Sequence, residues 1–477
     1  MSNTNTVKKL SLFGFFAITA SMVLTVYEYP AFAVSKMNLV FYLLVAGFLW
    51  FIPVSLVSAE MATVKGWQKG GIFTWVEKTL GPKWGFAAVF YQWFQITVCF
   101  ITMIYFIIGA FSMAFGWSEL NSDPWLKLAA VLVIFWVVTI SQFWGTKWTE
   151  IIAKFGFIFG VFGSGILLFV LAIIYILQGG DIQVSFGADA WIPDFSKFNT
   201  LVIFVSFILA YCGVESSASH ANEMKNPARD YPLAMLLLVI VAIGIDILGG
   251  FTIAATIPQS ELGLNTGVIQ AFEYLISYFG GAAWIVSAIA IIICIGVIAE
   301  IACWVVGPSA ALLNAAEKGL LPKSLAKTNK AAVPVNLVII QGVVVSIWAC
   351  VLTLGGGGGN LSFFIAIALT VCIYLVAYTL MFIGYLKLTY KQTEKERAFR
   401  IPGGKFGKTI IALVGLVITI FAFFISFFPP ANIGGNISDL SYFAILVICW
   451  AAMVAVPFLI YHFYGKKHYQ PEVVSDN

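Results

Sequence analysis

Long apolar runs recur along the whole chain, and they constrain its fold more than any other feature. Of the 477 residues, 61% are hydrophobic and only 10% are charged, whereas about a quarter of the residues in a soluble domain are charged. A run of about 20 apolar residues is long enough to cross a bilayer as a helix. The sequence therefore predicts an all-α integral membrane protein that crosses the lipid bilayer many times.

The apolar runs and the basic residues together predict a topology. Twelve runs are long enough to cross the membrane, and they lie at about residues 11–34, 39–63, 85–115, 126–143, 150–177, 199–220, 232–257, 282–314, 336–354, 360–387, 407–428 and 441–464. With the N-terminus in the cytoplasm, all of the 26 basic residues fall on the inner side except Lys36, Lys127 and Lys197. Because lysine and arginine concentrate in cytoplasmic loops, we predict twelve spans with both termini in the cytoplasm.

Several function classes lack the sequence features that they need. The chain has no Walker A motif, so an ATP-driven pump is not expected. The three histidines have no metal-ligand spacing, and no arrangement resembles a hydrolytic triad. We therefore predict that the chain is not an enzyme and uses no cofactor, no metal ion and no nucleic-acid partner. A channel or a sensor is also disfavoured, because no filter-like loop or signalling domain is present.

Predicted span 1 is interrupted by polar residues and a proline. The stretch SMVLTVYEYPAFA, residues 21–33, contains Ser21, Tyr27, Glu28 and Pro30, and a helix that serves only as an anchor has no use for them. We expect its backbone to leave the helix here to bind a substrate, with Tyr27 and Glu28 near an outer gate. The alternative is a helix kinked by the proline, with Glu28 solvated at the outer interface.

Predicted span 6 carries a similar interruption, since Tyr211, Gly213 and Glu215 follow its apolar beginning. Five spans separate the two interrupted segments, so one runs outward and the other inward. This pattern is typical of an inverted 5+5 repeat with discontinuous helices around a midplane site, whose helix ends and unwound carbonyls suit the two charged groups of an amino acid. We predict repeats at 11–177 and 199–387, two further helices at 407–464, a cytoplasmic N-terminus at 1–10 and a short tail at 465–477.

Further candidate site residues lie inside other spans. Glu300 and Trp304 are one helical turn apart in span 8, where an acid beside an aromatic ring suits a cationic ligand. Tyr374 and Tyr378 in span 10 share a helix face and suit ligand contact or gating. The alternatives are structural pairing for Glu300 and simple packing for the two tyrosines.

Three other ionisable residues are assigned with alternatives. We expect Asp246, in the middle of span 7, to make a structural hydrogen bond. Glu60 lies at the inner end of span 2 and is either structural or part of an inner gate. His220, at the inner end of span 6, is a candidate pH sensor, although a solvated histidine at a helix end is the more common case.

Five stretches together resemble a known family. They are LFGFFAITASMVLTVYEYPAFA, LVSAEMATVKGWQKGGIFTWV, FVSFILAYCGVESSASHANEMKNPARDYPLAM, AEIACWVVGPS and RIPGGK. In this order they resemble the amino acid–polyamine–organocation superfamily, and within it the glutamate/GABA antiporter family of acid-resistant and fermenting bacteria. The resemblance covers the chain from Leu12 to about Tyr464.

The resemblance implies a fold, an activity and a location. The fold is the leucine-transporter type with twelve helices, of which the first and sixth are broken. The activity is exchange of an external amino acid for the amine that a cytoplasmic decarboxylase makes from it, across the inner membrane of a bacterial cell. Such exchange supports acid resistance or the proton-motive force. The residues that it places along the substrate path are Tyr27, Tyr211, Glu215, Glu300, Trp304, Tyr374 and Tyr378.

Two differences from glutamate-exchanging members bear on the substrate. Those members resemble one another in having an arginine directly after the Pro-Ser of span 8, whereas Ala310 follows Ser309 here. They also resemble one another in a long basic tail that plugs the inner vestibule, whereas only a short segment follows Lys466 here. The pocket helices are also rich in aromatic residues, among them Tyr91, Trp93 and Trp304. We therefore expect tyrosine/tyramine or another biogenic-amine pair slightly ahead of glutamate/GABA. A proton-coupled amino-acid uptake permease, with Glu215 or Glu300 as proton carrier, remains the alternative function.

Overall fold

The structure is a computed structural model that describes residues 11–67, 70–144, 155–217, 224–355, 359–431 and 438–471, with only the backbone at positions 18, 21 and 22. All regular structure in these ranges is helical apart from isolated β-bridge residues, among them an antiparallel bridge between Val64 and Arg397. The helices are α1 (Leu12–Val23), α2 (Tyr29–Ala33), α3 (Asn38–Ala46), α4 (Ile52–Ala62), α5 (Gly71–Leu80), α6 (Pro82–Ala114), α7 (Glu119–Ser122), α8 (Pro124–Ser141), α9 (Ser164–Leu177), α10 (Phe198–Leu201), α11 (Phe204–Leu209), α12 (Val214–Ser217), α13 (Pro227–Thr256), α14 (Gly267–Tyr278), α15 (Ala283–Glu317), α16 (Val335–Gly355), α17 (Gly359–Lys391), α18 (Gly404–Ile425), α19 (Asp439–Ile460) and α20 (Lys466–His468).

Short irregular helical segments join some of these helices. A π-helical turn at Gly47–Phe51 connects α3 to α4, another at Gly156–Gly163 leads into α9, and a third at Tyr461–Gly465 follows α19. Among the described residues, 3-10 turns lie at Gln142–Trp144, Ala188–Ala190 and Lys323–Ala326.

Within the described residues, eleven helical segments are long and apolar enough to cross a membrane. They coincide with eleven of the twelve predicted spans. The remaining predicted span, at 11–34, consists of two short helices, α1 with 12 residues and α2 with 5. By length and composition, eleven described segments qualify as membrane-spanning helices. The twelfth span and the inverted repeat therefore stay predictions.

Two helices lie in regions that the sequence analysis assigned to loops. They are α5 with 10 residues and α14 with 12. At a rise of 1.5 Å per residue both are too short to cross a bilayer. Their apolar residues alternate with polar ones at helical spacing, but the runs are too short for the length criterion that located the spans.

The centre of the bundle is formed by α6 and α17. In each of these 33-residue helices, 89% of the most apolar window is buried inside the protein, compared with 11% for the window in α19. The peripheral helices instead expose apolar side chains, such as Phe424 and Ile448. A helix that is apolar all round is stable at such a surface only in contact with other apolar groups, which lipid supplies.

The break in span 1 has a local cause in the sequence. Helix α1 is capped by Ser11, whose side chain accepts a 3.0 Å hydrogen bond from the Gly14 amide, and it ends at Val23 with Leu24 in an extended conformation. The chain then turns through residues 24–28 before α2 begins with Pro30 in its first turn. Proline suits this position, because the first residues of a helix have no intrahelical acceptor for their N–H groups.

The break in span 6 depends on a glycine. Helix α11 ends at Leu209, and a turn through residues 210–213 precedes α12. Gly213 closes the turn with φ +96°, a backbone conformation that glycine adopts without the steric cost that other residues incur.

Candidate functional site

A cavity lies where the two breaks meet α6, α15 and α17. Its lining includes Thr25, Tyr27 and Glu28 from the first break, together with Glu300 and Trp304 from α15. The cavity measures about 30 Å³, which is the space of about two water molecules. The structure is therefore closed around the site, and a ligand larger than a few atoms enters only if the surrounding helices move apart.

The described side chains of the cavity wall include acids but no bases. Among its described lining residues, Glu28 and Glu300 are acidic and none is basic. The indole of Trp304 lies in the same wall, and the face of an aromatic ring attracts cations. The arrangement suits the ammonium group of an amino acid or an amine.

Glu215 lies beside the cavity at the start of α12 and is held by three donors. The Tyr378 hydroxyl donates to its Oε2 at 2.5 Å, and the Gln92 amide donates to its Oε1 at 2.8 Å. The Tyr374 hydroxyl also donates to Oε1, and Tyr374 itself lines the cavity. These bonds tie the break in span 6 to both central helices, α6 and α17.

The hydrogen bonds around Glu215 have a consistent direction. The Gly213 amide donates to the Tyr378 oxygen at 2.8 Å, so the proton of that phenol is free to point at Glu215. With three donors on two oxygens, Glu215 acts as an acceptor only, which is the behaviour of an ionised carboxylate. Gln92 also donates to the Ser216 hydroxyl at 3.1 Å, which fixes its amide.

Gly213 and Trp304 are in direct contact across the site. A Cβ atom built on Gly213 would lie 2.7 Å from Cη2 of the Trp304 ring. The missing side chain therefore lets the span 6 break approach α15, and the ring that lines the cavity rests on bare backbone.

Tyr211 and Asp246 lie behind the cavity rather than in its wall. The ring of Tyr211 stacks on Phe51, with centroids 4.7 Å apart and an interplanar angle of 2°. Asp246 is buried in α13, and the Tyr211 hydroxyl and Glu28 are electrostatic neighbours of its carboxyl group. Tyr211, which the sequence placed along the substrate path, does not line this closed cavity.

Glu60 belongs to a separate cluster at the end of α4, which we call the inner clasp. Its carboxylate accepts from the Arg397 guanidinium at 2.9 Å, the Tyr385 hydroxyl at 2.8 Å and the Ile401 amide at 2.8 Å. The Lys408 ammonium completes the set. Glu60 is fully buried, and the clasp fastens α4 to α17, to the loop 392–401 and to α18.

Two predicted residues fall outside what the structure describes. His220 lies in the segment 218–223, and Ser21 lies in α1 at a position where only the backbone is described. Their suggested roles in pH sensing and substrate contact stay predictions.

Sequence reasoning missed Gln92 and the basic partners of Glu60. Gln92 is a polar residue in the middle of an apolar run, a signal that was available. Arg397 and Lys408 were counted only as cytoplasmic charges, and nothing in their spacing pointed to Glu60, more than 300 residues earlier.

Of the aromatic residues that favoured a biogenic-amine substrate, only Trp304 lines the cavity. The Tyr91 hydroxyl donates to the Val454 carbonyl at 2.9 Å, and the Trp93 indole donates to the Ser309 hydroxyl at 3.2 Å. Both side chains have structural partners away from the described cavity wall. The aromatic content of the pocket is therefore lower than the sequence suggested.

Broken helices around a closed, acid-lined cavity in an apolar helical bundle define a membrane transporter of small molecules. The chain belongs to the amino acid permease family, whose sequence model matches residues 10–452.

Curated relatives place it more closely. It is 55% identical over 461 residues to the glutamate/gamma-aminobutyrate antiporter of Lactococcus lactis subsp. lactis, covering 96% of this chain and 92% of the relative. It is 56% identical to the protein of the same name in Lactococcus lactis subsp. cremoris, with the same coverage. A transporter of Legionella pneumophila described as uncharacterized is 31% identical and covers 97% of both chains.

Proposed function

We propose that this protein is an antiporter that exchanges external glutamate for internal γ-aminobutyrate (GABA). The observation that carries the proposal is the identity of 55% to a glutamate/gamma-aminobutyrate antiporter along 96% of the chain. An identity of this size over nearly the full length includes every helix that forms the cavity.

This proposal replaces the slight preference for tyrosine/tyramine. Both Lactococcus relatives are glutamate/gamma-aminobutyrate antiporters, and two of the three aromatic residues behind that preference do not line the cavity. Ala310 stands where an arginine was expected for a glutamate exchanger, and it does not line the described cavity. The substrate carboxylate therefore needs another partner than a cation at this position.

The geometry supports binding of the group that both substrates share. Glutamate and GABA each carry an ammonium group, and Glu28, Glu300 and Trp304 form a wall that attracts cations. We assign the carboxylate end to the unwound backbone of the span 1 break, because a broken helix offers N–H groups that do not complete helical pairing. Tyr27 borders the same space and completes this side of the site.

The hydrogen-bonded group of Glu215, Tyr374 and Tyr378 is proposed as a gate. It joins the span 6 break to α17 at the edge of the closed cavity. Exchange across a membrane requires the site to open to one side at a time, so these bonds must break and re-form during each half-cycle. Glu28 is proposed to act on the outer side of the cavity and Glu60, through the inner clasp, on the inner side.

In the cell, the exchange is proposed to serve a cytoplasmic decarboxylase. Decarboxylation of glutamate to GABA consumes one proton, and the imported molecule carries one more carboxylate than the exported one. The exchange then supports acid resistance or the proton-motive force. We place the protein in the bacterial cytoplasmic membrane with both termini inside, which agrees with the distribution of its basic residues.

Counterflow in liposomes tests the proposal directly. Purified protein is reconstituted with internal unlabelled glutamate, GABA, tyrosine, tyramine or no substrate, and uptake of labelled glutamate is measured at pH 5.5 and 7.5. We expect uptake only with internal glutamate or GABA. Uptake into empty vesicles driven by a proton gradient would instead establish the proton-coupled permease, and uptake of labelled external tyrosine that requires internal tyramine would restore the biogenic-amine assignment.

A further inference from the structure

Gln95 is a polar residue of the cavity wall that the proposed exchange does not yet use. It lies in α6, a helix that is long and apolar enough to cross the membrane. Its exposed fraction is 3%, and its side chain lines the cavity. A buried polar group inside the membrane costs free energy unless it has a partner or a function, so the hydrogen bonds of Gln95 decide how it is interpreted.

The described residues leave most of the hydrogen-bonding capacity of Gln95 unused. Its Nε2 donates to the Gln92 carbonyl at 3.3 Å, which is long for an N–H···O bond, and that carbonyl also serves the helix itself. A side-chain amide offers two N–H groups and an oxygen that accepts two hydrogen bonds. No described residue takes the second N–H group of Gln95 or donates to its Oε1. The amide is thus open to a ligand in the cavity.

Gln92, on the same helix, shows the contrast with a glutamine whose amide is committed. Its Nε2 donates to Glu215 at 2.8 Å and to the Ser216 hydroxyl at 3.1 Å, and it is absent from the described cavity wall. Residues three apart lie on the same side of a helix, so Gln95 points to that side of α6 about one turn further along the chain. Gln92 holds the proposed gate, whereas Gln95 faces the cavity beside it.

The substrates of the proposed exchange define which group needs a donor. Decarboxylation removes the α-carboxylate of glutamate and leaves the side-chain carboxylate, which becomes the carboxylate of GABA. The same number of carbon atoms separates this shared carboxylate from the ammonium group in both molecules. With the ammonium group at the wall formed by Glu28, Glu300 and Trp304, both substrates therefore present a carboxylate at the same distance from that wall.

The described cavity wall offers this carboxylate a neutral donor rather than a cation. None of the described lining residues is basic, and Gln95 supplies the one side-chain amide among them. The Tyr374 hydroxyl also lines the cavity, but it already donates to Glu215. A hydrogen bond from a neutral donor to an ionised carboxylate is stronger than one between two neutral groups. The open amide of Gln95 is thus suited to the shared carboxylate.

We propose that Gln95 binds the carboxylate that glutamate and GABA share, and that it thereby selects molecules with an ammonium group and a carboxylate at this spacing. The inference rests on the proposed exchange function and refines its assignment of the carboxylate end, because the span 1 break then serves the α-carboxylate that glutamate alone carries. A neutral donor suits an exchanger, since it holds each substrate without the strong attraction of a cation in a medium of low dielectric constant.

Three ligands separate the two carboxylates of glutamate. Glutamate carries both, GABA carries only the shared one, and L-α-aminobutyrate carries only the α-carboxylate. The apparent inhibition constant of each ligand is measured by counterflow of labelled glutamate into liposomes that contain glutamate. For the wild type we expect α-aminobutyrate to bind about tenfold or more weakly than glutamate, because it lacks the group that Gln95 binds.

Gln95→Met removes the amide and keeps the length of the side chain. We expect the inhibition constants of glutamate and GABA to rise about tenfold or more, the loss of one hydrogen bond to a charged group, while that of α-aminobutyrate stays unchanged. Gln95→Leu is a second replacement with the same expected selectivity. The matched control is Gln341→Met on α16, whose Oε1 accepts from the Ser309 hydroxyl at 3.0 Å away from the described cavity wall. We expect the control to keep the wild-type ratios among the three ligands.

The outcomes are distinguishable. If the Gln95 variants weaken all three ligands equally, Gln95 binds the ammonium group or shapes the cavity, and the proposal is wrong. Wild-type ratios in both variants, or a wild type that binds α-aminobutyrate as tightly as glutamate, would also overturn it, while the exchange function would stand. If wild-type counterflow between glutamate and GABA fails, the proposed function itself is wrong.

Discussion

The backbone of Gly213 touches the ring of Trp304, so closely that a Cβ atom on the glycine would lie 2.7 Å from Cη2 of the indole. The same glycine has φ +96° and donates its amide proton to Tyr378. One residue thus controls three features of the site: the break in span 6, the approach of α15 and the orientation of the Tyr378 phenol.

Replacement of Gly213 by alanine is expected to damage both stability and exchange. The positive φ alone costs about 1–3 kcal/mol for a residue with a side chain, and the methyl group also displaces Trp304. We expect a lower melting temperature in detergent and a loss of counterflow of at least about tenfold. Gly244→Ala is the matched control, because no atom lies within 4 Å of a Cβ there and alanine favours the helix α13. Equal melting temperatures and counterflow rates in the two variants would show that the contact between Gly213 and Trp304 does not constrain the site.

Tyr378→Phe is expected to impair exchange more than Tyr374→Phe. Loss of the Tyr378 hydroxyl removes the bond to Glu215 and also leaves the Gly213 amide without its acceptor, whereas loss of the Tyr374 hydroxyl removes one bond to Glu215. A buried donor without a partner adds about 1–3 kcal/mol. Initial counterflow rates and melting temperatures of the two variants check the order. The reverse order would show that Tyr374, the one that lines the cavity, matters through substrate contact.

The inner clasp is expected to contribute strongly to stability. Glu60→Gln leaves Arg397 and Lys408 without their buried counter-charge, and removal of one partner from such a group costs about 3–5 kcal/mol. Thermal unfolding in detergent measures the loss. The control is Glu396→Gln, which breaks the 3.1 Å ion pair between Glu396 and Lys65. The side chains of Lys65 and Glu396 are 79% and 75% exposed, and exposed ion pairs contribute little to stability. A clasp variant as stable as this control would show that Glu60 is not held as described.

A thiol in the cavity wall provides a test of substrate binding. Cys99 lines the cavity and is 5% exposed, while Cys294 on α15 is 2% exposed and is absent from the described wall. In a protein that retains Cys99 as its only cysteine, glutamate or GABA should slow modification by a small methanethiosulfonate reagent severalfold. With Cys294 as the only cysteine, substrate should have no effect. Equal protection at both positions would indicate a global conformational change rather than occupancy of the cavity.

Much of the architecture could be predicted from the sequence because a helix needs about 20 apolar residues to cross the membrane. Eleven predicted spans coincide with helices, and the interruptions at Glu28 and Gly213 were located from polar residues inside apolar runs. The helices α5 and α14 were missed, since neither is long enough for that rule. The shared helix face of Tyr374 and Tyr378 followed from their spacing, but nothing in the spacing showed which carboxylate they meet.

The sequence by itself determined the membrane class, the approximate position of most helices and the places where two of them break, because hydropathy, proline and glycine act over a few neighbouring residues. Only the tertiary structure decided that Gln92 holds Glu215 and that Arg397 and Lys408 close on Glu60. These groups lie far apart along the chain. Their pairing is set by how the helices pack, since a buried charge or polar group must find its partner in space.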